Sequence, residues 1–454
     1  METKKNASVF RILIFWLVII CLLTTCDSEN NSVGGLKSYT VTFDADNGTS
    51  QTIQTIIEGN TVNEPITPTK VNNVAGLYFE SPPDYYTFNG WFNGDTKWDF
   101  NNKVTENIIL KVKWIQPSII DLSVVELTES QINRSGDNIV TRAFRYVSLN
   151  PQTYTLLLDE NVETVGLGLG SSILTIIGIG EERIISHNGG GNINRSLIQV
   201  SNGNLIIGQN IILKGIDNGT RALIWLDAGC FTMLPGSKIT GHTAIGETVY
   251  NLGIIYGYFG TDNYFTMEGG EISGNNSKTI IFLNDTSSNN ENTFTMNGGV
   301  ISNNNGIGVG IHGNLIMNGG TIIGNDYDVI LSHSTSLFLS GNTIIGKLEL
   351  PSHYSNFSFN PITISGAYSG TIYNLDLSNC YASTNVQISR TIANFENKDI
   401  IKANPSYLLT EADIEKFSLG NFIASYTETI TQLINDTHKL ELDNVNNVIK
   451  LVVK

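Results

Sequence analysis

From about residue 165 onward, large apolar residues recur in one figure, at a position x, at x+2 and at x+7. The triples are Leu205/Ile207/Ile212, Phe265/Met267/Ile272, Phe294/Met296/Ile301, Leu315/Met317/Ile322 and Leu337/Leu339/Ile344. Phe231/Met233/Ile239 fits with one extra residue, at Pro235. An apolar pair two residues apart faces one side of a β-strand. Behind each pair stand Gly269-Gly270, Gly298-Gly299, Gly319-Gly320, Gly341-Asn342 or Gln209-Asn210. Gly and Asn tolerate the left-handed backbone angles of a tight corner. The pattern therefore predicts a short strand, a corner, and a second short strand that returns x+7 to the same interior. The starts at 205, 231, 265, 294, 315 and 337 lie 26, 34, 29, 21 and 22 residues apart. The shortest spacings suit one coil of a stack. No coil buries its own apolar face, so only the stack is stable. The fold class expected is all-β.

Residues 39–115 carry a different rhythm. Tyr39, Val41 and Phe43 alternate with Thr40 and Thr42, and Leu110, Val112 and Trp114 alternate with Lys111 and Lys113. A period of two predicts half-buried strands. Asp46-Asn47-Gly48, Pro65, Pro68 and Pro82-Pro83 are turn signals between them. Roughly 75 residues suffice for a small independent domain. Its aromatics Trp91, Phe92, Trp98, Phe100 and Trp114 are expected in its core, although they could be read as a sugar-stacking platform.

The same segment, from Tyr39-Thr-Val-Thr-Phe-Asp-Ala-Asp-Asn-Gly48 through Tyr86-Thr-Phe-Asn-Gly-Trp-Phe92 to Val104-Thr-Glu-Asn-Ile-Ile-Leu-Lys-Val-Lys-Trp114, resembles the Listeria–Bacteroides repeat, the internalin B-type repeat of bacterial surface proteins. That resemblance implies a compact β-grasp-like module, here with an insertion near Val71 to Asp84 that lengthens the loop before Tyr86. The coil repeats, with their Phe-Thr-Met-x-Gly-Gly-x-Ile-Ser figure, resemble the right-handed parallel β-helix of the pectate-lyase superfamily over about 165 to 395. The resemblance implies fold and leaves function open, because such scaffolds host enzymes and adhesins alike.

Lys4, Lys5 and Arg11 precede the apolar stretch Ile12 to Leu23. Twelve residues are too few for a spanning helix, which needs ~20, but fit the apolar region of a secretory signal. The segment ends in Leu23-Thr24-Thr25-Cys26. This resembles a bacterial lipobox, with Thr25 where Gly, Ala or Ser usually stands. The resemblance implies a lipid on Cys26, which becomes the mature N-terminus. The organisation expected is thus a lipoprotein signal over 1–25, a tether over 26–38, the β module over 39–115, and a linker with N-terminal cap over 116–164. The β-helix follows over 165–395, and C-terminal coils and a cap over 396–454. Within that last segment, Thr410 and Asp413 predict the start of a short helix, and Lys439–Asp443 and Val448–Val453 read as strands.

Composition narrows the function. Lys+Arg 26 against Asp+Glu 42 gives a net charge of −16, which removes nucleic acid as a partner. Anionic lipid would not attract such a surface, so membrane attachment rests on acyl chains at Cys26 and the expected location is the cell envelope. Past Cys21 and Cys26 only Cys230 and Cys380 remain, too few for a disulfide framework. They are 150 residues apart, hence about six or seven coils or roughly 30 Å, far beyond disulfide reach.

No cofactor and no metal site is expected, because no Cys/His cluster has ligand spacing. Paired carboxylates on neighbouring coils, which hydrolysis requires, are not evident in the sequence. His312-Gly313 follows Ile311 rather than Gly, and Asp262, Asp285, Asp326 and Asp328 sit singly in Asn/Gly-rich turns. The function expected is therefore a non-catalytic surface scaffold that binds a glycan or a host protein. The alternative is a polysaccharide lyase or glycoside hydrolase. The extra length of the 34- and 29-residue steps is expected at one point of the repeat, after x+10. Stacking would then place both insertions side by side as a binding edge. Tyr256, Tyr258, Phe259, Asp262 and Tyr264 in the first insertion are the expected ligand contacts.

Overall fold

The computed structural model describes residues 37–80, 86–122, 137–189, 195–244, 253–258, 260–283, 292–331, 335–350, 360–376, 399–403, 408–419, 423–427, 430–433 and 438–454. Cys26, Phe259 and Cys380 lie outside these. Two compact units share the chain: residues up to Lys70 with Tyr85–Ile115, and Val71–Asp84 with Gln116–Lys454.

In the first unit β1 (Ser38–Asp44) pairs antiparallel with β2 (Thr52–Ile57) and parallel with the late strand Ile108–Ile115. Thr87–Asn93 lies antiparallel on that strand's other side. The alternation of β1 puts Val41 and Phe43 inside, where they meet Trp91, Ile108, Leu110 and Val112. The Phe43 and Trp91 rings meet edge to face, centroids 5.0 Å apart. The Trp114 indole N–H donates to the Ala45 carbonyl at 2.9 Å. Trp91 is thus buried, Trp98, Phe100 and Trp114 pack half-buried against the same core, and Phe92 is half-buried outside that cluster.

The insertion is not merely a longer loop. Its β3 (Gly76–Phe79) belongs to the second unit and pairs antiparallel with Thr153–Leu158, Leu77 opposite Leu156 and Tyr78 opposite Thr155. Leu77 and Tyr78 are buried there. β3 covers a sheet edge that would otherwise offer unpaired N–H and C=O groups. α1 (Ile139–Leu149) packs against Leu167–Leu169 and Thr153–Leu158, and its first turn is capped by the Asn138 carboxamide oxygen accepting from the Thr141 N–H at 2.9 Å. Val140, Ala143, Phe144 and Val147, spaced three and four apart, turn one buried face into the same core.

The second unit is a β-solenoid with three strands per coil. Its first strands form a 13-stranded sheet, parallel except for β3 at one end and the hairpin His438–Asp443/Val448–Val453 at the other. Pairing is in register. Leu205, Phe231, Phe265, Phe294, Leu315 and Leu337 stack in one column, and Ile207, Met233, Met267, Met296, Met317 and Leu339 in the next. Every one is at most 1% exposed. The Phe265 and Phe294 rings lie 4.7 Å apart and 7° from parallel.

The third apolar column departs from a uniform x+7. Ile272, Ile301 and Ile322 occupy it at x+7, but Leu213, Ile239 and Ile345 occupy it at x+8. Ile212 and Ile344 are half-exposed neighbours of that column. The corner explains the difference. Gly299 has φ +86°, and a Cβ there would stand 2.7 Å from the Gly270 carbonyl oxygen. Two successive glycines close the corner one residue earlier than Leu-Pro-Gly-Ser or Gly-Gln-Asn can.

A second corner is held by amides rather than by missing side chains. The Asn275 backbone and side-chain N–H groups donate to Asn304 Oδ1 at 3.0 Å each, Asn304 does the same to Asn325, and Asn325 to Asp328. Buried polar groups are thereby paired coil to coil, which their burial demands. At the far end α2 (Glu411–Ile414) starts with the Thr410 N–H and hydroxyl both donating to Asp413 Oδ2, at 2.6 and 2.8 Å.

Met296 is the most direct probe of this register, since it sits between Met267 and Met317 with no exposure. Met296→Asp should cost several kcal/mol by burying an isolated charge. Thermal unfolding measures it; a wild-type midpoint would mean that residue 296 does not face the interior.

Candidate functional site

Of the residues singled out in the first insertion, Tyr256 lies on a third strand. Gly253–Gly257 is itself the third strand of its coil, pairing Trp225 with Tyr256 and Tyr256 with Phe282. Tyr256 is fully buried, its ring centroid 4.9 Å from Trp225 and 6.0 Å from Phe282. It therefore offers no open ring face, contrary to the expected exposure. Tyr258 is half-buried 5.5 Å from Trp225, whereas Asp262 and Tyr264 are exposed, Tyr264 on the first sheet. Of the four described residues, Tyr256 and Tyr258 share the Trp225 ring while Tyr264 lies on another sheet, so the four do not form one cluster.

The two insertions also part company. Most of the first lies between the second strand Lys238–Thr240 and the third strand Gly253–Gly257. The second follows the third strand Asn276–Leu283 and precedes Thr293. They lengthen different corners, because a spacing between successive x positions adds three corners together and cannot say which has grown.

A groove of about 580 Å³ opens instead on the third-strand side, one coil further on. Asn276, Ser277 and Lys278 line it from one coil, and Asn305, Gly306 and Ile307 from the next. Asp326, Tyr327 and Ile330 come from the third coil and Glu349 from the fourth. The register brings these together. Asn276 pairs with Asn305, Ile307 with Tyr327, Gly310 with Ile330, and Ile330 with Glu349. Four coils span three strand spacings, ~14 Å. The floor depends on Gly306, where φ is +134° and a Cβ would lie 1.8 Å from the Ser277 carbonyl oxygen.

The groove is unevenly charged, with Ile307 and Ile330 adding apolar surface. Lys278 and Asp326 are exposed, while Glu349 is 3% exposed. Glu349 pairs across strands with Asp376, also buried. The Lys347 ammonium lies 3.1 Å from Asp376 Oδ2 and 4.0 Å from the centroid of the Tyr327 ring. Lys278, Tyr327 and Glu349 were not expected as site residues, and Asp326 was expected as a solvated turn residue. Aligning third strands rather than first strands is the signal that would have gathered them.

Two titratable groups near the coils are shifted by burial. The half-buried Cys230 has a free thiol, and desolvation pushes its pKa up, so the thiolate is disfavoured. His242 heads the asparagine ladder, its N–H donating to Asn275 Oδ1 at 3.1 Å. Its Nε2 meets the Arg221 carbonyl at 2.8 Å, and its Nδ1 accepts the Ile216 N–H at 3.3 Å. Desolvation lowers its pKa from 6.5 to about 4. Among the described residues no group of three or more His, Cys, Asp or Glu side chains is placed to hold a metal ion.

Residues 39–76 and 82–113 match the family model of the Listeria-Bacteroides repeat domain. The match breaks where β3 leaves for the solenoid. No curated protein and no solved structure matches the chain at a significant level.

His242 makes a pH prediction. Its folded pKa lies below its unfolded one, so between about 4 and 6.5 the unfolded chain binds the extra proton. Stability from this group is complete above 6.5 and falls as pH drops, by about 3 kcal/mol in all. Urea unfolding at pH 7 and 4.5 should show a steeper loss for wild type than for His242→Asn. Equal losses would contradict it.

Proposed function

We propose that this chain is a cell-envelope lipoprotein, held to the membrane by acyl chains on Cys26, whose solenoid displays a non-catalytic groove for a glycan. One observation carries the reading: the amide groups of Asn276 and Asn305 and the phenol of Tyr327 line one groove across successive coils. Such groups hydrogen-bond and stack on polyols, and a rigid register fixes their spacing. A neighbouring module similar to a repeat of bacterial surface proteins, and a lipobox-like N-terminus, support display at the surface. Kinship of the solenoid with the pectate-lyase superfamily belongs to the same proposal, supported by its three-strand parallel coils. A host protein in place of a glycan is a ligand the same groove would test.

A second reading has its own observation. Lys278, Asp326 and Glu349 line the groove from the first, third and fourth of its coils, and acid–base groups in one groove could cleave a polysaccharide. Exposure of Lys278 and Asp326 argues against it, since a catalytic acid is tuned by desolvation or close partners.

Glycan-array binding combined with a reducing-sugar assay separates the two. Binding without bond cleavage is expected, with Tyr327→Ala weakening it about tenfold or more at an unchanged thermal midpoint. Release of reducing ends would establish the enzyme instead, and no binding to any glycan would remove the reading. For the anchor, Cys26→Ala should abolish labelled-palmitate incorporation, because only a thiol forms the thioether; unchanged labelling would contradict it.

A further inference from the structure

Two buried histidines tie down corners between second and third strands, and both do so with the same polarity. His242 stands two residues past the second strand Lys238–Thr240 and is 2% exposed. Its Nδ1 receives the Ile216 N–H at 3.3 Å, and its Nε2 meets the Arg221 carbonyl at 2.8 Å. An amide N–H can only donate and a carbonyl can only accept. The His242 ring is therefore neutral, bare at Nδ1 and protonated at Nε2. His187 ends the second strand Arg183–His187 and repeats the arrangement, with the Gly189 N–H at 3.1 Å and the Arg195 carbonyl at 2.9 Å.

The segment that His242 holds, Ile216–Arg221, leads into a small aromatic cluster. The Arg221 guanidinium lies 5.3 Å from the centre of the Trp225 ring, and Ala222 packs with Trp225 and Tyr256. The segment's two backbone ties to this corner run to Thr243, the neighbour of His242. The Thr243 N–H donates to the Ile216 carbonyl at 2.9 Å, and the Gly219 N–H to the Thr243 carbonyl at 2.8 Å. Around the ring, Lys214 and Asp217 are exposed, where water and salt screen them, and Glu271 is paired with Lys238 at 3.1 Å. Glu163 and Arg195, beside His187, are exposed as well.

We infer that His242 is an acid-released latch on Trp225. A proton taken from solvent at Nδ1 turns the acceptor into a donor that faces the Ile216 N–H. That hydrogen bond is lost, a charge is left buried, and the segment from Ile216 to Ala222 swings away from the Trp225–Tyr256 cluster. Histidine is the side chain whose charge changes in this pH range. Desolvation is the main cause of its pKa of about 4, and a charge on His187 adds to it. The closed segment therefore loses stability as pH falls from 6.5 towards 4. Between pH 7 and 4.5 this multiplies the opening constant by about 60. The aromatic cluster is thus covered at neutral pH and uncovered in acid.

Labelling the full chain with fluorotryptophan gives each tryptophan its own fluorine resonance, and Trp225→Phe assigns that of Trp225. From pH 7 to 4.5 the Trp225 resonance should move reversibly to a solvent-exposed position while those of Trp91, Trp98 and Trp114 stay. In His242→Asn, which places at the corner the amide that Asn275 supplies one coil on, Trp225 should stay covered. The imidazole nitrogen resonances of His242 in the unaltered chain should titrate in step with Trp225, a measurement that needs no variant to fold. Movement of all the tryptophans together would mean global unfolding and overturn the latch. An unmoved Trp225, an undiminished response in His242→Asn, or an imidazole that titrates at another pH would overturn it too.

Discussion

The backbone ladder between coils is the constraint on which the second unit depends. Parallel strands lie ~4.8 Å apart, so whatever one coil places inward must accept its like immediately above. Flat rings and thioethers satisfy this best, hence Phe231, Phe265 and Phe294 in one column and Met233, Met267, Met296 and Met317 in the next. Polar groups obey the same rule. Asn275, Asn304 and Asn325 each give two N–H bonds to the next residue of the ladder, and Asp328, with acceptors only, ends it. Once register is fixed in the interior it is fixed outside as well, which is what assembles a groove from single residues of four coils.

The ends of such a stack need as much chemistry as its middle, because a terminal coil exposes a full set of backbone groups. Here one end is closed by β3, taken from inside another module's sequence, together with α1. The other is closed by an antiparallel hairpin laid on Asp399–Ala403.

The columns of Phe and Met were readable because each is a local alternation repeated at a short period. The split between Ile272 at x+7 and Ile239 at x+8 was not, since it turns on how tightly two glycines close a corner. The strand at Gly76–Phe79 was hidden for another reason: its partner Thr153–Leu158 lies some eighty residues on, and no local pattern announces a non-local pairing. α1 was legible in principle from Val140, Ala143, Phe144 and Val147, yet a strand-dominated reading passed over it. The groove escaped because Lys278, Asp326 and Glu349 are unremarkable in their own coils. Only the vertical register makes them neighbours, and that register belongs to the third strands, whose starts the Phe-Thr-Met figure does not mark.

In-register stacking is therefore the central claim, and cysteine pairing tests it most directly. Thr266 and Thr295 are cross-strand partners, which puts their Cα atoms about 4.8 Å apart, within disulfide range. Thr266 and Asn297 are two residues out of register, roughly 8 Å apart, and out of range. In a Cys230→Ser background, mild oxidation should close the Thr266→Cys/Thr295→Cys pair rapidly and leave the Thr266→Cys/Asn297→Cys pair reduced. Preferential closure of the second pair would contradict the register, and with it the groove that the register builds.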